Sequence, residues 1–183
     1  MWEDPKSAPD PLSLVQGYVN TAHRMHGTDE LRTAEGASIA LAALGLVDPG
    51  EHVAGADRRR LVEFREALRG LLLVHTDGRS DVAAAAAELD RGAGPVSVRV
   101  RFSSDGRPTV EAAPAGTVAG RVIALVIVAI ANSHDDWKRL KACTNDACRW
   151  AFFDASRNRS GRWCDMNVCG ARHKMRAYRE RRR

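Results

Sequence analysis

Cysteine is missing from the first 142 residues of this 183-residue chain, so disulfide or thiolate–metal chemistry is confined to its last quarter. No secretory leader is expected, because Met1-Trp2-Glu3-Asp4-Pro5 is acidic where a leader starts basic and then turns apolar. The longest apolar run, 122–131, is far short of the roughly 20 residues that span a bilayer. These absences predict a cytoplasmic protein with no membrane partner. There is no P-loop glycine pattern, no internal repeat and no constellation of residues suited to catalysis, so an enzyme is not expected. Lysine is scarce beside arginine and alanine. That usage points to a GC-rich genome and warns that some of the arginine excess is mutational.

What is there is unevenly placed. Residues 1–137 carry 14 Lys/Arg against 19 Asp/Glu, whereas residues 138–183 carry 14 against only 4. A net charge of +10 on 46 residues is the footprint of a polyanion binder, and genome-wide bias would not have left the preceding residues acidic. The same segment holds all four cysteines, Cys143, Cys148, Cys164 and Cys169, spaced C-x4-C-x15-C-x4-C. Two short thiolate loops joined by a hairpin-length segment suit one tetrahedral Zn²⁺ in a closed, structural site. Two disulfides or four unrelated thiols are the rival readings, and a reducing compartment disfavours the first.

Along the chain, residues 1–11 read as a loose lead-in. Apolar spacing predicts helices over 12–26 and 30–44, the second capped by Asp29 and stopped by Gly45. A third, capped by Asp57, runs to about residue 75, and a fourth opens at Ser80-Asp81 and ends near Leu89. Residues 95–102 alternate apolar and polar like a half-buried strand, returning over 107–112 as a β-hairpin. Thr117 can cap a fifth helix through Asn132, apolar on nearly all sides and so expected in the core. The expected fold is α+β: a helix-dominated domain over 12–136 with a small antiparallel hairpin, then a four-cysteine zinc module over 137–183 ending in a basic helix. Residues 1–137 are expected to fold alone and to bind no nucleic acid.

Within the module, Trp150, Phe152, Phe153 and Trp163 are expected to pack around the metal, whose binding supplies most of the folding free energy of so small a unit. A carboxylate and an amide in each cysteine loop can cap its backbone. Gly170 is expected to take an unusual dihedral. Beyond it Arg172, Arg176, Arg179 and Arg183 fall within about a 60° arc of a helix, with Met175 and Tyr178 beside them to dock it. Together with Lys174 and Arg162 they are the candidate nucleic-acid contacts, since arginine pairs with guanine edges or phosphates in double-stranded DNA. His23 and His26 lack a third metal ligand, His134-Asp135-Asp136 reads as a polar junction, and His173 borders a site already filled.

The run Arg139-Leu-Lys-Ala-Cys143, then Cys148-Arg-Trp-Ala-Phe-Phe-Asp-Ala-Ser-Arg-Asn158, then Arg162-Trp-Cys164 through Cys169-Gly170 resembles the CGNR-type zinc finger. In that family the finger follows a domain called ABATE, whose opening resembles Leu14-Val-Gln-Gly-Tyr-Val-Asn-Thr21 and whose second-helix exit resembles Gly45-Leu-Val-Asp-Pro49. The resemblance implies a stress-induced bacterial transcription regulator, nucleoid-associated and carrying one structural zinc. Two departures stand out: the signature tetrapeptide is here Cys169-Gly170-Ala171-Arg172, and Gly161-Arg162 replaces a basic pair. One helix in one groove reads a short site, which calls for a homodimer, and the first domain is free to take a small-molecule effector. Structured-RNA binding and a thiol/zinc redox switch of a protein partner are the alternatives.

Overall fold

The computed structural model describes residues 6–53, 55–78, 81–106, 108–113 and 116–182. Its fold is α+β and helix-dominated, with three two-stranded antiparallel sheets among the described residues. Helix α1 (Leu12–Asn20) buries Leu12, Val15, Tyr18 and Val19. It ends six residues before the expected boundary, because the Thr21 hydroxyl donates to the Tyr18 carbonyl at 2.8 Å. The chain then turns through Gly27 (φ +68°), pairing β1 (Ala22–His23) with β2 (Thr28–Asp29).

The second predicted helix is split. Asp29 caps only a 3₁₀ turn (Glu30–Arg32), and Thr33 caps α2 (Ala34–Ala43) by accepting from the Gly36 amide. Gly45 (φ +69°) closes α2 as expected: its amide reaches the Ala42 carbonyl while the Leu46 amide reaches Leu41. This is the paired closure in which a left-handed residue satisfies the last carbonyls and buries the apolar residue after it, here Leu46.

Helix α3 (Gly55–Asp77) is the spine, placing Leu61, Phe64, Leu68 and Leu72 fully in the core. Asp57 lies within it rather than ahead of it, and its carboxylate accepts instead from the Ala119 amide in another helix's first turn. Helix α4 (Val82–Ala93) is capped by Asp81 and outlasts its predicted end by four residues; Ser80 lies outside the described residues. It packs on α3 closely enough that a Cβ at Gly92 would sit 3.2 Å from the Phe64 Cα.

Strands β3 (Val98–Phe102) and β4 (Pro108–Ala112) form the predicted hairpin, with Val100 opposite Val110. The expected burial fails: Val98, Val100 and Phe102 are all exposed, because β4 rather than β3 faces α5. Helix α5 (Val118–Ala131) takes its cap from Thr117 as expected and lies against α1 and α3. No helix among the described residues is long and apolar enough to cross a membrane.

The residues after α5 pack against the main core. A 3₁₀ turn (His134–Arg139) leads into β5 (Leu140–Ala142), which pairs with β6 (Ala151–Phe153). Strand alternation turns Leu140, Ala142, Ala151 and Phe153 toward the main core and Phe152 toward the cysteines. Phe153 therefore leaves the group expected around the metal. The seam is hydrogen-bonded on both edges. His75 Nδ1 meets the Leu140 carbonyl at 2.9 Å, Thr76 donates to Ala142 at 2.7 Å, and Asn20 both donates to and accepts from Ala151. Residues 6–11, expected as a loose lead-in, are tied down too. The Lys6 carbonyl accepts from the Phe153 amide at 2.9 Å, and the buried Gln16 side chain holds Lys6, Ala8 and Ala151.

Candidate metal centre and basic helix

Cys143 follows β5 and Cys148 precedes β6, so the first cysteine loop is the turn of that hairpin. Asn145 builds the turn: its carbonyl accepts from Cys148 and Arg149, and its side chain accepts from Ala147 at 3.2 Å. Arg149 closes it in the left-handed region (φ +53°). Cys164 and Cys169 bracket the second loop, where Asp165 Oδ1 accepts from Asn167 (2.6 Å) and Val168 (2.9 Å) ahead of a π-helical turn (Met166–Gly170). Each loop does use a side-chain cap. An amide serves the first and a carboxylate the second, while Asp146 pairs with Arg149.

All four sulfurs lie within 4.8 Å of one another and all four cysteines are buried. Cys148 and Cys164 are 3.6 Å apart at sulfur, and Cys164 and Cys169 are 3.8 Å apart. A tetrahedron with Zn–S of ~2.3 Å has S···S edges of about 3.8 Å, whereas a disulfide needs ~2.05 Å. The donor set therefore fits zinc and not paired disulfides. The charges fit as well. Hydrogen bonds from Cys148 and Cys164 pull the Cys143 thiol down, and the same coupling raises Cys148 and Cys164. Sharing protons alone, the cluster favours one thiolate over its neighbours, and a divalent cation lets all four ionise. The Asn145 amide donates toward Cys169 Sγ at 3.5 Å, supporting the charge from outside the donor set. With four sulfurs the tetrahedron is complete, and the single zinc ion is structural.

One stabilising element of this module was not anticipated. Lys141 and Asp154 form a buried ion pair at 2.7 Å, with side chains only 3% and 4% exposed. Asp154 also accepts from Ser156 and from the Gly161 amide, so it organises the whole turn to Gly161. A Cβ at Gly161 would come 2.8 Å from that carboxylate, so the close approach there suits glycine. A lysine alternating against an aromatic strand two residues before a cysteine was the available signal.

Beyond the site, Gly170 has ordinary helical dihedrals (φ −64°, ψ −44°), so the expected unusual conformation is absent. Its missing side chain makes room for Met166, whose Sδ would lie 2.5 Å from a Cβ. Helix α6 (Ala171–Glu180) then projects with no buried residue. Met175 and Tyr178 are 53% and 48% exposed and do not dock it; Tyr178 accepts from Arg182 instead. Arg172, Arg176 and Arg179 lie along one face, Lys174 is exposed on the opposite one, and Arg162 lies beside the third cysteine. Arg183 lies outside the described residues. The helix is steadied near its start, where His173 stacks on Trp163 at 5.5 Å and Arg172 Nη1 meets Met25 Sδ at 3.1 Å.

The four cysteines are the one group of three or more metal-binding side chains among the described residues. His23 and His26 pack edge to face at 4.1 Å, with His23 also tilted against Trp150, so they serve as packing residues. A comparison with curated proteins found no match. Family models match in two places: the CGNR zinc finger over residues 139–182, and ABATE, described as "Putative stress-induced transcription regulator", over residues 12–133. The second match alone spans most of the chain, and with the sulfur cluster falling inside the first, this chain belongs to the ABATE family and carries a CGNR zinc finger.

Proposed function

We propose that the chain is a zinc-dependent, DNA-binding transcription regulator of the cytoplasm and nucleoid, with Cys143, Cys148, Cys164 and Cys169 as the zinc ligands. The observation that carries this reading is α6, which stands out from the zinc site with Arg172, Arg176 and Arg179 on one face and no buried apolar anchor of its own. A helix carrying that charge and leaving a rigid metal knuckle is built to meet a groove and its phosphates. Arg172, held near the knuckle, is the base-edge contact; Arg176 and Arg179 hold phosphates, with Arg162 and Lys174 at the periphery and Arg183 a further candidate from the sequence alone. The first domain supplies pairing with a second copy or a response to an effector, and no catalytic role is assigned to any residue.

The test is a titration of duplex DNA at several salt concentrations with single alanine variants at 172, 176 and 179. Each lost phosphate contact should lower the salt slope by about one, and loss of Arg172 should relax preference at one position. Unchanged affinity and slope in all three would remove the reading. Tighter binding of a structured RNA in direct competition would replace DNA with RNA. Burial of all four sulfurs weighs against the redox alternative, since a peroxide must reach them first.

A further inference from the structure

The turn between β1 and β2 belongs to the first domain, yet it reaches the zinc module. Met25 packs against the cysteine cluster, and its sulfur meets the Arg172 guanidinium at 3.1 Å. His23, two residues earlier, lies 4.6 Å from Trp150. Between them Arg24 is half exposed, and its one ion-pair partner among the described residues is Glu66 at 3.7 Å.

Glu66 is already claimed. Two buried guanidiniums bind it more closely, Arg65 at 2.9 Å and Arg69 at 3.1 Å. Arg65 spans both oxygens of Asp29 at 2.7 Å, and Arg69 holds the Val19 and Arg149 carbonyls. The seam thus sets three guanidiniums against two carboxylates. The surplus positive charge rests on Arg24, the most accessible and most loosely held of the three. On the finger side Asp146 is taken by Arg149.

Resting on the DNA-binding reading of α6, we propose that the β1–β2 turn is part of the same polyanion-binding surface, with Arg24 taking a backbone phosphate beside the stretch engaged by Arg172. DNA presents a phosphate every ~3.4 Å of axis along each strand, so cations at adjoining positions meet one continuous run. The expectation that residues 1–137 take no part in binding is thereby revised: the first domain contributes a contact and fixes the angle at which α6 meets the duplex.

The experiment uses the zinc-loaded full chain and a duplex of about 20 base pairs across a salt series. Arg24→Ala should lower the salt slope by about one and weaken binding about fivefold at 0.15 M salt, the factor that a slope of ~0.9 per phosphate gives. Arg24→Lys should restore the slope, and zinc content should stay at one per chain in both. Arg99→Ala, on the exposed β3, should leave the slope unchanged. An unaltered slope in Arg24→Ala while Arg176→Ala still lowers it would overturn the proposal and leave the role of α6 standing. An equal loss in Arg99→Ala would overturn it as an effect of net charge. Absence of salt-dependent duplex binding by the unaltered chain would remove both readings together.

Discussion

Replacing Asp154 should damage this protein more than any surface substitution, although the residue touches neither the zinc site nor α6 directly. Its carboxylate receives Lys141 Nζ at 2.7 Å, the Ser156 hydroxyl at 2.6 Å and the Gly161 amide at 2.7 Å. Burial pushes the Asp154 carboxyl up, but the hydrogen bonds from Lys141, Ser156 and Gly161 outweigh it and hold the group well below the usual carboxylate range. The carboxylate is therefore charged at any pH that suits thiolate ligands. Removing one partner of a buried pair costs about 3–5 kcal/mol, because the other charge stays desolvated. Here Lys141 keeps the Arg159 and Gly161 carbonyls, and residues 155–160 are exposed, so water can enter. Asp154→Ala should then cost about 2–3 kcal/mol, with Asp154→Asn milder. Urea unfolding of the zinc-loaded chain measures this, and a loss under about 0.5 kcal/mol would refute the claim that the pair organises the turn. The double variant Lys141→Met with Asp154→Leu should be less damaged than Asp154→Ala, since no charge is left stranded.

Two further outcomes follow from the seam and the site. Chelating zinc, or replacing any one of the four cysteines by serine, should unfold the finger and also lower hydrogen-exchange protection in α1 and α3, because β5 and β6 share their core; protection unchanged in those helices would contradict the shared core. His75 is shifted below its ordinary value chiefly by burial, with Lys138 and Lys141 adding to the shift against its bond to Leu140. The unfolded chain thus takes up a proton first as pH falls below about 6.5, and stability is lost from there downward until the native imidazole also titrates. His75→Asn at saturating zinc should flatten that decline, and an unchanged pH profile would exclude His75 as its source.

What could be read from the sequence was what local chemistry decides. The four cysteines, the caps at Thr117 and Asp81, the stop at Gly45 and the β3–β4 hairpin all depend on neighbours within a few residues. What could not be read was decided across the fold. Asp57 has the spacing of a cap for its own helix but serves α5, and Asp29 caps one turn while its carboxylate is consumed by Arg65, 36 residues away. The alternation of 95–102 gave the strand correctly but not its burial, because alternation names a face without naming what covers it. Nothing in the local sequence marks Arg65 and Arg69 for burial; they are buried because the end of α1, the β1–β2 turn and the finger converge on them. The docking assigned to Met175 and Tyr178 failed for the converse reason, since α6 buries none of its residues against the rest of the described chain.

The charge boundary near residue 137 invited the view that the first domain folds alone, and the seam argues otherwise. Cutting there removes Leu140, Ala142, Ala151 and Phe153 from the main core, all of them buried. Burial of one leucine or phenylalanine is worth about 1.5–3 kcal/mol, so these four side chains together account for roughly 5 kcal/mol or more. A domain of this size holds only about 5–15 kcal/mol in total. The cut would also strip Arg69 of the Arg149 carbonyl and take from Asn20, His75 and Thr76 the backbone partners they hold across the seam. A fragment of residues 1–137 should therefore retain helix in the far-ultraviolet but show weak near-ultraviolet dichroism, a broad thermal transition and a tendency to self-associate. A cooperative transition within a few degrees of the full chain would refute this and restore the two-body view. If the fragment behaves as expected, zinc loading, packing of the first domain and the pose of α6 are one folding equilibrium. Any change that alters α1 or α3 then changes the pose of α6 without touching the finger.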